Sequence, residues 1–191
     1  MVGTFSDLCG FVAPIEPVIK IKLGMWNHQF FSNDFRQFLF LYNNNTLGIN
    51  TRVNAFNAQV DRRCCFCRIL NNETLNEETF LHVFFTCPTT RSLLCTLINR
   101  LEPRPDPDLL SFREMYWYGI NDSGNSFILL AIFDIFRYCV WKFKLRRRVP
   151  NANMFMREFD FCLDIVCSAN VSFRTSIQRL NLLANIIPAL G

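Results

Sequence analysis

The chain has 191 residues, a formal net charge of +4, and 50% hydrophobic residues including 21 Phe. Its length suits one domain, or one domain with a small appendage, and excludes a short peptide held together by disulfides. A composition with only 19% charged residues also argues against a disordered chain. The net charge alone is too small to predict a nucleic-acid partner.

The cysteine count and the apolar segments indicate the compartment. The nine Cys are an odd number, and residues 1–10 lack the basic and apolar regions of a signal peptide. The most apolar run, 127–140, contains Asp134 and Arg137 and is shorter than the roughly 20 residues that a bilayer requires. We therefore expect an intracellular protein, nuclear or cytoplasmic, that is not secreted and has no membrane partner.

The predicted elements are nearly all helices. Apolar residues at helical spacing, bounded by capping and breaking residues, predict helices at about 33–43, 51–60, from 76, and at 88–101, 126–148, 153–169 and 173–187. Asn33 is the expected N-cap of the first of them, and Thr74 with Glu77 forms a capping-box pattern near Asn76. The predicted fold is mainly α, a small helical bundle with few or no strands.

A proline-rich linker suggests the domain boundaries. Pro103, Pro105 and Pro107 alternate within 102–108, which makes that segment extended and not helical. The prediction is a helical lead-in segment at 1–60, a metal-binding segment at 61–101, and a C-terminal helical region at 109–191.

Four residues with soft metal-ligating atoms lie between 61 and 101, at a spacing typical of a zinc site. Cys64 and Cys67 form a Cys-x-x-Cys turn, and His82 and Cys87 follow on the next predicted helix and just past its end. A structural zinc ion takes four thiolate or imidazole ligands in a tetrahedron, and a two-residue gap lets one turn supply two sulfurs. The sequence therefore predicts a zinc knuckle of the Cys-Cys-His-Cys type.

Neighbouring residues leave some choices open. Clustered Cys can also be buried core residues, but the spacing favours zinc. Cys65 is an alternative to Cys64, although its one-residue gap to Cys67 chelates less well. Glu78 lies four residues before His82, where on one helix its carboxylate would accept the second ring N–H of the imidazole.

The Glu-Thr-Phe-Leu-His-Val-Phe-Phe-Thr-Cys-Pro run at 78–88, preceded by Cys64 and Cys67, resembles a known segment. It is similar to the zinc-binding region that follows the polymerase in non-LTR retrotransposon (LINE-type) reverse transcriptases. The stretch 44–53 resembles the lead into that region, and Val83 stands where Leu is usual. The resemblance covers about 35–97, and the part after the proline linker matches only loosely.

The resemblance implies an accessory region that grips template RNA or target DNA, C-terminal to an RNA-directed DNA polymerase. The polymerase signature is an aromatic-x-Asp-Asp turn, and no Asp-Asp pair occurs in the sequence. Asp106 and Asp108 lie in the proline linker, which would not hold two magnesium ions rigidly. We therefore expect a non-catalytic portion of such a protein, and no enzyme activity of its own.

Two groups of cations are the candidate nucleic-acid contacts. Arg62, Arg63 and Arg68 surround the Cys turn, and a second group of cations lies near Trp141, at Lys142, Lys144, Arg146, Arg147 and Arg148. The second group also suits a solvated helix C-terminus. Three alternatives to nucleic-acid binding remain: a zinc-stapled module that binds other parts of the same polyprotein, a hidden nuclease or polymerase-linked activity carried by carboxylates without a recognisable motif, or a remnant element without function.

Overall fold

Six α-helices and one π-helical turn form the described part of the computed structural model, which comprises residues 31–69, 76–101, 126–169 and 174–175. In chain order the elements are α1 (Asn33–Asn43), α2 (Asn50–Phe56), α3 (Cys65–Ile69), the π turn (His82–Thr86), α4 (Pro88–Leu101), α5 (Ser126–Leu145) and α6 (Ala152–Ala169). The described residues contain no strand, only an isolated antiparallel bridge between Arg63 and Glu77. The predicted mainly α fold is confirmed.

The first helix shows how local signals set the ends of an element. Ser32 is the N-cap, because its Oγ accepts a hydrogen bond from the Phe35 backbone N–H at 3.3 Å. The predicted cap, Asn33, lies one residue further on, inside α1. After α1 the chain turns at Asn45, which has a positive φ of 50°, a conformation that Asn tolerates better than most residues.

Aromatic side chains join the helices into one core. Phe35 and Phe38 of α1 pack on Tyr138 of α5, with ring centroids 4.9 Å and 5.4 Å away. Phe155 of α6 packs on Phe136 of α5 at 5.1 Å. The apolar faces predicted from helical spacing for α1 and α4 are therefore buried in this core, at Phe35, Phe38 and Leu39 and at Leu93 and Leu97.

Buried charges also lie inside this core. Asp134 and Arg137, which interrupt the apolar run, are both buried and form an ion pair with each other at 2.6 Å within α5. Arg100 of α4 pairs with Asp160 of α6 at 2.6 Å, which fixes these two helices side by side.

No described helix combines the length and apolar character that crossing a bilayer requires.

One predicted helix begins later than expected. The chain at Asn76–Thr79 is not helical, and helical geometry starts only at Phe80. Thr79 is the residue that caps it, since its Oγ1 accepts the His82 backbone N–H at 3.0 Å. The predicted start near Asn76 is therefore wrong.

Other sequence predictions fall outside the described residues. The proline linker at 102–108 and nearly all of the predicted helix at 173–187 belong to this group. The domain boundaries derived from the linker stay a prediction.

A matched pair of phenylalanines on α6 tests the core. Phe159 is fully buried, whereas Phe161 is 61% exposed. We expect Phe159→Ala to lower the free energy of unfolding by about 3–5 kcal/mol, and Phe161→Ala by about 0.5 kcal/mol or less. Urea denaturation followed by circular dichroism measures both, and equal losses would contradict the described packing.

Candidate metal centre

Two chain segments are paired side by side at the candidate metal centre. The Cys64 backbone N–H donates to the Asn76 carbonyl at 2.9 Å, and the Glu78 N–H donates to the Arg62 carbonyl at 2.7 Å. The Arg63–Glu77 bridge lies between these two hydrogen bonds. This short pairing brings the turn that carries Cys64 and Cys67 against the chain that leads into His82.

The π turn sets the relative orientation of the other two ligands. In an α-helix, residues five apart point about 140° away from each other. Here the Cys87 N–H donates to the His82 carbonyl at 2.7 Å, the five-residue hydrogen bond of a π-helix, which brings residues five apart onto nearly the same face. His82 and Cys87 can therefore face one point.

Pro88 ends the π-helical hydrogen bonding directly after Cys87. The next π-type hydrogen bond would run from the backbone N–H of residue 88 to the Val83 carbonyl, but proline has no N–H. The Thr90 hydroxyl donates to that buried carbonyl instead, at 2.7 Å. The acceptor is thereby satisfied, and α4 starts directly after Cys87.

Four ligand atoms from Cys64, Cys67, His82 and Cys87 converge, all within 4.8 Å of one another. The Cys87 sulfur lies 4.0 Å from that of Cys64 and 3.8 Å from that of Cys67, and His82 Nε2 lies 3.4 Å from the Cys67 sulfur. A zinc tetrahedron requires about 3.8 Å between sulfurs and about 3.6 Å between sulfur and nitrogen. A disulfide would need about 2.05 Å, so these are free thiols at metal-ligand spacing.

The thiols of the cluster hold their protons firmly when no cation is near. A hydrogen bond with Cys65 raises the pKa of Cys64 to about 12, and a hydrogen bond with Cys64 raises the pKa of Cys87 to about 12. Burial raises the pKa of Cys67 to about 11. A divalent cation bound among them would deprotonate all three, because it supplies the opposite charge that the buried thiolates lack.

The second ring nitrogen of His82 has a neighbour other than the one predicted. With Nε2 facing the sulfurs, Nδ1 lies 3.4 Å from the Thr86 hydroxyl oxygen, which can accept its N–H and fix the tautomer. The prediction that Glu78 does this is wrong. Glu78 precedes the first helical residue, Phe80, so the helical spacing of four does not apply to it.

Glu78 instead stabilises the turn that carries Cys64 and Cys67. Its fully buried carboxylate accepts the Cys65 backbone N–H at 3.0 Å and the Asn50 backbone N–H at 2.8 Å. Lys144, near the end of α5, lies 3.3 Å from the same carboxylate and donates to the Gly48 carbonyl at 2.5 Å. This carboxylate therefore connects the metal turn, the start of α2 and the end of α5.

The predicted cations around the metal turn are exposed and carry local partners. Arg62 pairs with Glu77 at 3.3 Å. Arg63 and Arg68 both pair with Asp61, at 2.7 Å and 3.4 Å. The two guanidinium groups hold the pKa of the Asp61 carboxyl well below its usual range, chiefly through the hydrogen bond from Arg63.

The predicted cations near the end of α5 divide into three kinds. Lys144 is buried on Glu78 and is an internal residue, because its ammonium group is held away from solvent, so it is not the surface contact predicted. Lys142 and Arg146 both pair with Glu158 of α6. Arg147 and Arg148, beyond the end of α5, are exposed, and the Arg148 guanidinium group lies 3.8 Å from the Met154 sulfur.

Helix-to-helix ion pairing also shifts the titration of Glu158. Partial burial raises its pKa, but hydrogen bonds from Lys142 and Arg146 outweigh burial and leave the pKa below its ordinary value. A lowered carboxyl pKa stabilises the fold above the unfolded-state pKa, and this contribution is lost as the pH falls through the folded-state pKa. The contact between α5 and α6 is thus weakened in acid.

Comparison of the whole chain with protein-family models, with curated proteins and with solved structures finds no match. The site itself is a buried cluster of three thiols and one imidazole that can hold a metal ion.

A double-mutant cycle tests the role of the Glu78 carboxylate. Glu78→Gln and Lys144→Met each leave the other group buried without its charged partner, which we expect to cost about 3 kcal/mol of unfolding free energy. The double variant should lose clearly less than the sum of the two single losses. Urea denaturation at constant metal concentration measures the cycle, and strictly additive losses would show that the two groups do not interact.

Proposed function

We propose that Cys64, Cys67, His82 and Cys87 bind one structural Zn²⁺. The observation that carries this proposal is the spacing of the ligand atoms, 3.4 Å to 4.0 Å for three of the pairs and no more than 4.8 Å for any pair, which suits a zinc tetrahedron. Thiolate and imidazole donors favour zinc over magnesium or calcium, which take oxygen ligands. Burial of all four side chains adds support, since bulk water would compete poorly for the ion.

A structural role for the ion follows from the number of donors. Four protein ligands complete the tetrahedron and leave no position for an activated water, which a catalytic zinc requires. The ion would instead tie the turn that contains Cys64 and Cys67 to the π turn. Zinc bound in this way contributes folding free energy directly, because the site does not exist in the unfolded chain.

Zinc stoichiometry measured by native mass spectrometry tests the site. We expect one Zn²⁺ per wild-type chain and none, or strongly reduced occupancy, in Cys87→Ser and His82→Ala. Cys65→Ala is the matched control, because Cys65 is a buried neighbouring thiol outside the cluster of ligand atoms. Retention of zinc by both ligand variants, or loss only in Cys65→Ala, would contradict the assignment.

We further propose that the zinc-bound module binds nucleic acid, as the accessory region of a retrotransposon reverse transcriptase would. The support is the resemblance of the 78–88 run together with exposed arginines on both sides of the metal turn and beyond α5. Exposed guanidinium groups suit phosphates, and an ion pair at the surface adds little stability and can be exchanged for a phosphate contact.

The salt dependence of binding tests this second proposal. Fluorescence anisotropy with labelled 12-nucleotide oligo-U and oligo-dT gives Kd at several salt concentrations. If three or four phosphates are neutralised, log Ka should fall with log salt with a slope of about −2 to −3. Absence of binding to both probes at low salt, with zinc bound, would overturn the nucleic-acid proposal.

A protein-binding module is the second candidate function, and exposed aromatic side chains favour it. Phe56 at the end of α2 is 88% exposed, and Phe40 and Phe161 are each 61% exposed. Single exposed apolar residues are ordinary, but large aromatic ones are enriched where proteins bind each other. A zinc-bound chain that ignores both oligonucleotides and associates through these residues, with little dependence on salt, would support this candidate instead.

A further inference from the structure

A groove of about 510 Å³ opens beside the metal centre, between α2 with its following loop and the end of α5. Cys65, next to the metal ligand Cys64, contributes to its lining. The volume falls within the range typical of sites that hold a small molecule or one unit of a polymer. The groove is therefore lined by parts of α2 and α5 that Glu78 also contacts, through Asn50 and Lys144.

Arg147 lines the groove in a backbone conformation that is unfavourable for arginine. Its φ is 49°, in the left-handed region. The Arg147 N–H donates to the Lys144 carbonyl and the Arg148 N–H to the Phe143 carbonyl, which is the helix ending that normally places glycine at this position. A side chain kept where glycine would be less strained indicates a use for that side chain.

The guanidinium group of Arg147 is available to a ligand. It is exposed, and no hydrogen bond or ion pair joins it to another residue in the part of the chain that the structure describes. Arg68 and Asp61 line the same groove and pair with each other at 3.4 Å, so their charges balance and Arg147 remains as an unbalanced cation. With Lys144 neutralised by Glu78, the groove has an excess of positive charge.

The remaining lining is apolar and amide-bearing. Val53, Val60 and Leu145 supply aliphatic surface, and Leu145 is 61% exposed. Asn57 and Gln59 supply hydrogen-bond donors and acceptors. A nucleotide has the three matching parts, because its phosphate suits guanidinium, its base face suits aliphatic carbon, and its polar edges suit amides.

We propose that this groove binds one unpaired nucleotide of a single-stranded nucleic acid, with the phosphate at Arg147. A concave site of this volume admits an unstacked base, whereas a base inside a duplex cannot enter it. The inference rests on the proposed nucleic-acid function and deepens it, since it names the strand type and the residues that hold it.

Substitution of Arg147 by two different residues tests the groove in the full, zinc-bound chain. Arg147→Gly removes the cation and relieves the left-handed strain, so the thermal midpoint should be unchanged or higher while Kd for labelled oligo-U or oligo-dT rises about five- to tenfold. The salt slope should fall in magnitude by about 0.7, the value of one phosphate contact on a single strand. Arg147→Gln should weaken binding equally without raising the thermal midpoint.

Arg157 provides a control of equal charge. It is exposed on α6, lies outside the groove lining, and has no described partner. Arg157→Gln should therefore keep the wild-type Kd and salt slope, and a labelled duplex of the same length should bind more weakly than the single strands.

The outcomes separate the two proposals. A wild-type chain that binds neither single strand overturns both. Wild-type binding that is salt-dependent, but equal in both Arg147 variants, overturns the groove and leaves the nucleic-acid function standing. Equal weakening by Arg157→Gln, or equally tight binding of the duplex, also overturns the groove, because net charge would then explain the affinity.

Discussion

A metal site of this kind requires three sulfurs and one imidazole nitrogen to converge on one point. Much of the surrounding backbone is arranged so that these four atoms converge. The ligands come from two segments that are paired only briefly, through the contacts around Arg63 and Glu77. The buried thiols lose their protons, and so can act as ligands, only with a cation among them. Without a cation, hydrogen bonds with neighbouring thiols and burial raise their pKa values and keep them protonated. Local order here and metal binding are therefore expected to be one equilibrium.

Buried charges select how the helices dock on this centre. The Glu78 carboxylate is shared between backbone N–H groups near the metal turn and the Lys144 ammonium group of α5. A buried ion pair adds little net stability compared with apolar side chains, but a structure that separates its members is strongly disfavoured. The pair thus favours one docked arrangement of α5, whereas the Asp134–Arg137 pair lies within α5 itself and balances two charges that the core buries.

Local patterns in the sequence predict the helices and the metal ligands well, because both depend on short spacings. The apolar stripe that includes Leu93 and Leu97 and the Cys-x-x-Cys turn are of this kind. Several residues near Asn76 could cap a helix, so the sequence places Glu78 on the same helix as His82. In the folded chain Thr79 is the cap, and Glu78 therefore precedes that helix. Lys144 lies 66 positions from Glu78, so no spacing rule could relate them, whereas the helical spacing of four could have indicated Thr86 as the neighbour of His82.

The π turn makes the metal centre sensitive to the number of residues as well as to their kind. His82 and Cys87 face one point because the hydrogen bond between them spans five residues, and Pro88 fixes where that span ends. One extra residue within 83–86 would put the two ligands six residues apart, where neither α-helical nor π-helical winding brings them onto one face. Every ligand would still be encoded, yet the tetrahedron would be incomplete, so the length of this turn belongs to the ligand set.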